Sequence, residues 1–330
     1  MSKPVVLLVG SIEHASEEWQ QLGDVATLVT CTSANRDEFI ADLQGKYSEV
    51  VAIFRTFFSI DVTGRYDAEL VSHFPPSLKF LCHNGAGYDQ IDVDACSAAG
   101  VRVSNCPTAV DDGTADANMF LILGAIRNFG QGIFQLRKRQ WDRGVDLAND
   151  PQGKILGILG MGGIGRTLKQ RAEAFGMKTI YHNRRELSPE LAAGAKYVSF
   201  DELLATSDVL SLNLPLNAGT RHIIDDAAFA KMKDGVIVVN TARGAVMDED
   251  ALVRALASGK VRNAGLDVFE NEPEIHPGLL DNDKVVLIPH MGTSTYETQK
   301  KMELEAIGNV RAAITRGQLN TIVAEQVGMQ

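Results

Sequence analysis

Short apolar runs alternate along this chain with longer stretches whose apolar positions recur at helical spacing. Runs at residues 4–9, 26–29, 50–54, 78–82 and 101–103 read as strands, with helical patterns at 35–44 and 92–99 between some of them. That alternation predicts a parallel sheet covered by helices. Next comes "VDDGTADANMFLILGAIRN", 110–128, which reads as one long, mostly apolar helix, and then the amphipathic "FGQGIFQLRKRQW". "DPQGK" punctuates the chain before a second αβ series. Its strands are expected at 155–159, 178–181, 208–212, 236–239, 262–266 and 285–288, a doubly wound pattern of six. A last helix is expected over about 294–316, and the 330 residues suggest two domains.

Composition changes this picture little. Hydrophobic residues make up 45% and charged residues 22%, an ordinary globular balance. The net charge of -10 argues against nucleic acid or an anionic membrane as partner. No stretch of about 18 apolar residues is present to span a bilayer. Cys31, Cys82, Cys96 and Cys106 include no CxxC pair, so no zinc site is expected. "MSKPVVLLVG" reads as a first strand rather than a leader, which makes the cytoplasm the expected compartment and leaves an organelle open.

The chemistry begins at "GILGMGGIGR". Gly160, Gly162 and Gly165 form G-x-G-x-x-G after a strand, with Gly163 and Ile164 opening a helix. Such a turn lets a pyrophosphate approach the backbone and meet unpaired N–H groups at the helix start. The competing reading is a tight βα turn with no ligand. At the end of the next strand, "YHNRRE" places Asn183, Arg184 and Arg185 where an acid would grip a ribose 2′-hydroxyl. Removing the acid removes repulsion of a 2′-phosphate, and the arginines can bond it. The expectation is NADP(H) over NAD(H); a solvated surface pair is the alternative.

Three later segments also stand at strand ends. "NTARGAVMDEDAL" leaves Arg243 in a turn, "AGLDVFENEP" carries Glu272, and "PHMGT" leaves His290 in a turn closed by Gly292. Each has a bland reading: a surface cation, a loop acid, a buried histidine. Together they suit reduction of a 2-oxo acid. A planar guanidinium can hold the ketone and carboxylate oxygens and stabilise developing alkoxide charge. The imidazole can donate the proton, and an adjacent carboxylate favours its charged form.

At these motifs the sequence resembles the D-isomer-specific 2-hydroxyacid dehydrogenases, over nearly the whole chain. The resemblance implies Arg243, Glu272 and His290 as the catalytic three. It implies a flavodoxin-like substrate domain, 1–106 with 295–330, into which a Rossmann-type domain, 107–294, is inserted. It also implies cofactor contacts at Thr114, Leu214, Pro215, Thr241, Ala242, Asp267 and Gly292, and substrate contacts at Ala86, Gly87 and, less directly, Arg55. "CHNGAGYDQID", "LGAIRNFG" and "YHNRRE" are most similar to the fungal glyoxylate and hydroxypyruvate reductases of that family. Phe57 and Phe58 in "FRTFFSI" leave larger apolar 2-oxo acids as an alternative substrate class. Trp141 lies in the region through which the family forms homodimers. A dinucleotide-sensing corepressor-like module is the alternative of another class.

Overall fold

The computed structural model describes residues 3–328, which divide into two compact units. One unit runs up to Val110 and resumes at Thr295; the other is Asp111–Ser294. The crossing thus falls after Val110, past the expected switch after residue 106.

The first unit holds β1 (Val5–Val9), β2 (Thr27–Thr30), β3 (Val50–Thr56), β4 (Phe80–Asn84) and β5 (Arg102–Ser104). They form a parallel sheet in the order β2-β1-β3-β4-β5, the flavodoxin-like order. Because helices cover the faces, the central strands are largely apolar on both sides; β4 is buried at every position. Helix Tyr296–Arg316 returns from the far end of the chain to pack on β3 and β4. Its buried Glu303 accepts three backbone N–H bonds, from Glu13, His14 and Ala15, at 2.7–2.9 Å. Charge-assisted bonds contribute about 1.5–3 kcal/mol each, so this one side chain fixes the turn after β1.

The second unit has seven parallel strands where six are expected. They are β6 (Ile155–Leu159), β7 (Lys178–His182), β8 (Lys196–Tyr197), β9 (Val209–Leu212), β10 (Val236–Asn240), β11 (Val261–Leu266) and β12 (Val285–Leu287). The order β12-β11-β10-β9-β6-β7-β8 is the Rossmann-type arrangement extended by one strand. The strand that the pattern does not reveal, β8, has only two residues and lies at the edge, too short to show a period. The helix expected over 110–128 ends at Ile126, and a second begins at Phe129. Asn128 between them has φ +52°, a left-handed conformation that Asn tolerates. Its amide donates to Asp146 O, and Asn263 Nδ2 donates to both Ala125 O and Asn128 Oδ1. No helix among the described residues is long and apolar enough to cross a membrane.

Candidate active site

The register of the second sheet places one row of residues at the carboxyl ends of six adjacent strands. His182, Leu159, Leu212, Asn240, Leu266 and Leu287 pair in sequence across it. Nearly all sequence-predicted residues of this unit follow that row. Asn183–Arg185 leave β7, Gly160–Gly165 leave β6, Leu214 and Pro215 leave β9, and Thr241–Arg243 leave β10. Asp267 leaves β11, and His290–Gly292 leave β12. In open αβ sheets this is the edge that receives ligands.

At β6 the glycines make a tight turn with close backbone approaches. Gly160 has φ +96°, and a Cβ there would lie 2.7 Å from Asn213 O. A Cβ on Gly165 would meet Gly160 O at the same distance, whereas one on Gly162 would meet nothing. The space beside Gly162 suits a group that needs close backbone approach. Helix Gly163–Ala174 begins there with no side chain capping its first turn, which leaves its N-terminal donors to a ligand. Asn183 does not simply replace an acid: its Oδ1 accepts the Met161 N–H at 2.7 Å and braces the loop. Arg184 and Arg185 are exposed, and neither side chain makes an ion pair or hydrogen bond among the described residues.

On the other side of the row, Arg243, Glu272 and His290 come together. Asn240 sets the Arg243 turn by donating to Arg243 O at 2.9 Å and accepting from Ala242 N at 3.0 Å. Gly244 lies flat on the next loop; a Cβ there would sit 1.9 Å from the carbonyl carbon of Phe269. That loop carries Glu272, whose Oε1 accepts from Phe269 N and whose Oε2 accepts from His290 Nδ1 at 2.8 Å. An ionised carboxylate only accepts, so Nδ1 carries a proton and the imidazole's transfer face is Nε2. Burial alone would raise the Glu272 carboxyl. The His290 and Phe269 hydrogen bonds, with the charges of His290 and Arg243, outweigh it and hold the group below the usual range.

His290 has φ +50°, which costs about 1 kcal/mol or more for a side chain with a Cβ. Asp267 compensates. Its carbonyl accepts from His290 N at 2.7 Å, and its carboxylate accepts from Met291 N and Gly292 N. Bonds of that kind exceed the strain. Burial raises the Asp267 carboxyl above its usual range, and those same bonds act against it. Asp267 is 1% exposed and Thr114 5%, with Thr114 Oγ1 donating to Gly292 O at 3.4 Å. Both build the turn from behind.

Several residues escape the sequence reading. Asn118 Nδ2 donates to Ser211 Oγ and Thr241 Oγ1, each at 2.9 Å, and Asn213 joins at Ser211. This buried network ties helix Asp111–Ile126 to β9 and β10. Glu249, 5% exposed, accepts from Glu270 N at 2.8 Å and steadies the Glu272 loop; burial raises its carboxyl. A polar residue at a helix's buried face was the available signal.

In the first unit, Asn105 donates to Ala86 O at 2.7 Å and His83 Nε2 to Gly87 O at 3.0 Å. In a trans peptide the N–H opposes the C=O, so the Gly87 N–H is turned outward. Arg55, which the resemblance implies less directly as a substrate contact, is enclosed by protein groups. It is wholly buried, stacked 5.0 Å from the Tyr66 ring centroid, and donates to Thr56 O, Phe57 O, Ser59 Oγ and Gln90 Oε1. Burial lowers its pKa. It therefore braces the Phe57–Ser59 turn against the loop after β4.

Residues 119–292 match the family model of the D-isomer specific 2-hydroxyacid dehydrogenase NAD binding domain. The chain is 56% identical to 4-methyl-2-oxopentanoate reductase A of Aspergillus oryzae, over 98% of each protein. The crystal structure of a glyoxylate reductase from Paecilomyes thermophila is 55% identical, with a TM-score of 0.96 over 99% of this chain and 100% of that one. An NADPH-dependent glyoxylate/hydroxypyruvate reductase from Sinorhizobium meliloti, in complex with NADP and malonate, is 29% identical with a TM-score of 0.84, over 98% of both chains.

Proposed function

The chain belongs to the D-isomer specific 2-hydroxyacid dehydrogenase family, and on that premise we propose that it reduces glyoxylate and hydroxypyruvate with NADPH, giving glycolate and D-glycerate. The observation that carries this reading is the Glu272–His290 pair beside Arg243, at the carboxyl row of a Rossmann-type sheet. The β1–β5 unit is the substrate domain and the β6–β12 unit the dinucleotide domain.

Bound NADPH supplies the hydride. The Gly163–Ala174 helix start and the open flank of Gly162 receive the pyrophosphate, and Arg184 with Arg185 receives the 2′-phosphate. The Sinorhizobium relative binds NADP, which supports that preference. Leu214, Pro215, Thr241 and Ala242 face the nicotinamide side. Arg243 holds the ketone and one carboxylate oxygen and stabilises the negative charge that grows on the ketone oxygen. In the first unit, the outward Gly87 N–H and the neighbouring Ala86 backbone are the proposed donors to a substrate carboxylate. His290 then delivers a proton from Nε2, while Glu272 stabilises the imidazolium and fixes the ring.

A second reading is favoured by one observation. Phe57 and Phe58 form an edge-to-face pair with centroids 5.5 Å apart, and Phe58 is 75% exposed. Such a surface suits a larger apolar 2-oxo acid, as the Aspergillus relative's name describes for that protein. A substrate panel with NADPH decides between them: glyoxylate and hydroxypyruvate should exceed 4-methyl-2-oxopentanoate and phenylpyruvate in kcat/KM, and the reverse order would establish the second reading.

The chain is further proposed to act as a homodimer. Phe129, Ile133 and Leu136 make one exposed apolar stripe on helix Phe129–Arg137, and Trp141 beyond it is exposed as well. Gly130 of the same helix faces inward onto Val286, so the stripe faces outward.

A further inference from the structure

Asp111 opens helix Asp111–Ile126, and its carboxyl group lies directly on the phosphate loop. A Cβ built on Gly163 would be 2.2 Å from Asp111 Oδ2 and 2.4 Å from Oδ1. Gly163 is the first residue of the helix whose N-terminal donors face the proposed pyrophosphate position. The Asp111 carboxyl makes no hydrogen bond among the described residues, and its Oδ1 is buried without a partner. A buried carboxyl oxygen with no partner is rare unless a ligand completes it.

The surroundings fix which form is stable. Burial raises the Asp111 carboxyl to about 6, with the Asp112 charge adding to the rise and the Arg166 charge opposing it. Arg166 is on the first turn of the phosphate helix. Arg171, the other cation nearby on that helix, is held by Asp112 and Asp116 at a salt bridge and is committed there. A pyrophosphate arriving beside Gly163 brings more negative charge and can only accept hydrogen bonds. An ionised carboxylate would repel it, whereas a carboxylic acid would donate to it.

We propose that Asp111 is a ligand of the dinucleotide, donating a hydrogen bond from its protonated carboxyl to the pyrophosphate, so that cofactor binding takes up one proton. This rests on the dinucleotide reading above. Nothing in the Rossmann-type motif requires it, because the motif uses only backbone donors.

The linkage has a definite sign. Ligand binding favours the protonated form, so affinity is highest below pH about 6 and declines as pH rises past it. The decline approaches roughly tenfold per pH unit until the carboxyl ionises in the complex as well. The test is the Kd of NADH and of NADPH from acid to mildly alkaline pH, with calorimetry in buffers of different ionisation enthalpy. NADH lacks the 2′-phosphate, whose own ionisation would otherwise overlap. Wild-type protein should take up close to one proton per NADH near neutral pH. Asp111→Asn donates at every pH, so it should bind NADH with little pH dependence and about tenfold or more tighter than wild type at the alkaline end.

Dinucleotide binding with no proton uptake, or equal pH slopes for wild type and Asp111→Asn, overturns the proposal alone. Absence of NADH and NADPH binding at every pH overturns the dinucleotide reading, and this inference with it. The calorimetric arm uses unaltered protein and does not depend on the variant folding.

Discussion

Asn183 stands where a carboxylate would select against a 2′-phosphate, and its side chain is already committed to Met161 N. On the proposed NADPH reading, discrimination falls to Arg184 and Arg185, whose side chains make no ion pair or hydrogen bond among the described residues. Replacing both with Ala should weaken NADPH by roughly 10²-fold, as expected for two charge-assisted contacts, and NADH by far less. Equal loss of both cofactors, measured as Kd by fluorescence titration, would make the pair ordinary surface charge. Glu272 gives a second residue-scale expectation. In Glu272→Gln, the amide can donate to Nδ1 and so hold the imidazole in the wrong tautomer. Steady-state kinetics should show kcat down roughly 10²-fold or more with little change in NADPH affinity. The folded Glu272 carboxyl lies below its ordinary value, so its ionised form stabilises the fold above the ordinary carboxylate range. That contribution is lost as pH falls through the folded value, and the melting-temperature deficit of the variant should shrink in acid.

At the scale of elements, much was legible because each motif is local. The glycine spacing, the strand before it and the helix after it lie within one short stretch, and so do the turns carrying Arg243 and His290. What stayed hidden is what joins distant segments. Asn118 meets Ser211 and Thr241 across 93 and 123 positions, which no window of sequence reveals. Arg55 enters the sequence reading only as a less direct substrate contact, and only the packing of Tyr66 and Gln90 shows it enclosed. Two-residue β8 was lost because it is too short to show an apolar period, whereas the separate amphipathic stretch from Phe129 was legible. The turn from β10 depends on a contact of the same long-range kind. Gly244→Ala would drive a methyl into the Phe269 carbonyl carbon, and overpacking of this sort costs about 1–3 kcal/mol. Since Arg243 and Glu272 flank that contact, kcat should fall together with the melting temperature. A variant with full activity and unchanged melting would show that the two loops adjust independently.

For the whole molecule, the apolar stripe from Phe129 to Leu136 is the exposed face that the proposed dimer would cover. Ile133→Asp, tested by sedimentation, should convert a dimer into monomers, and an unchanged mass would place any association elsewhere. The two sheets differ in strand order yet both end their strands at edges that carry the proposed chemistry: backbone donors and an aromatic turn in one, the cofactor row and the catalytic three in the other.

The central claim is that His290, oriented by Glu272 beside Arg243, delivers the proton when a 2-oxo acid is reduced. The most direct measurement is the loss of reduced-nicotinamide absorbance with NADPH and glyoxylate, in wild type and in His290→Ala. The account predicts steady oxidation matched by glycolate in wild type, and kcat lower by roughly 10²–10⁴-fold in a variant that still binds NADPH. Turnover unchanged in His290→Ala, or no turnover of any 2-oxo acid by wild type, would contradict it.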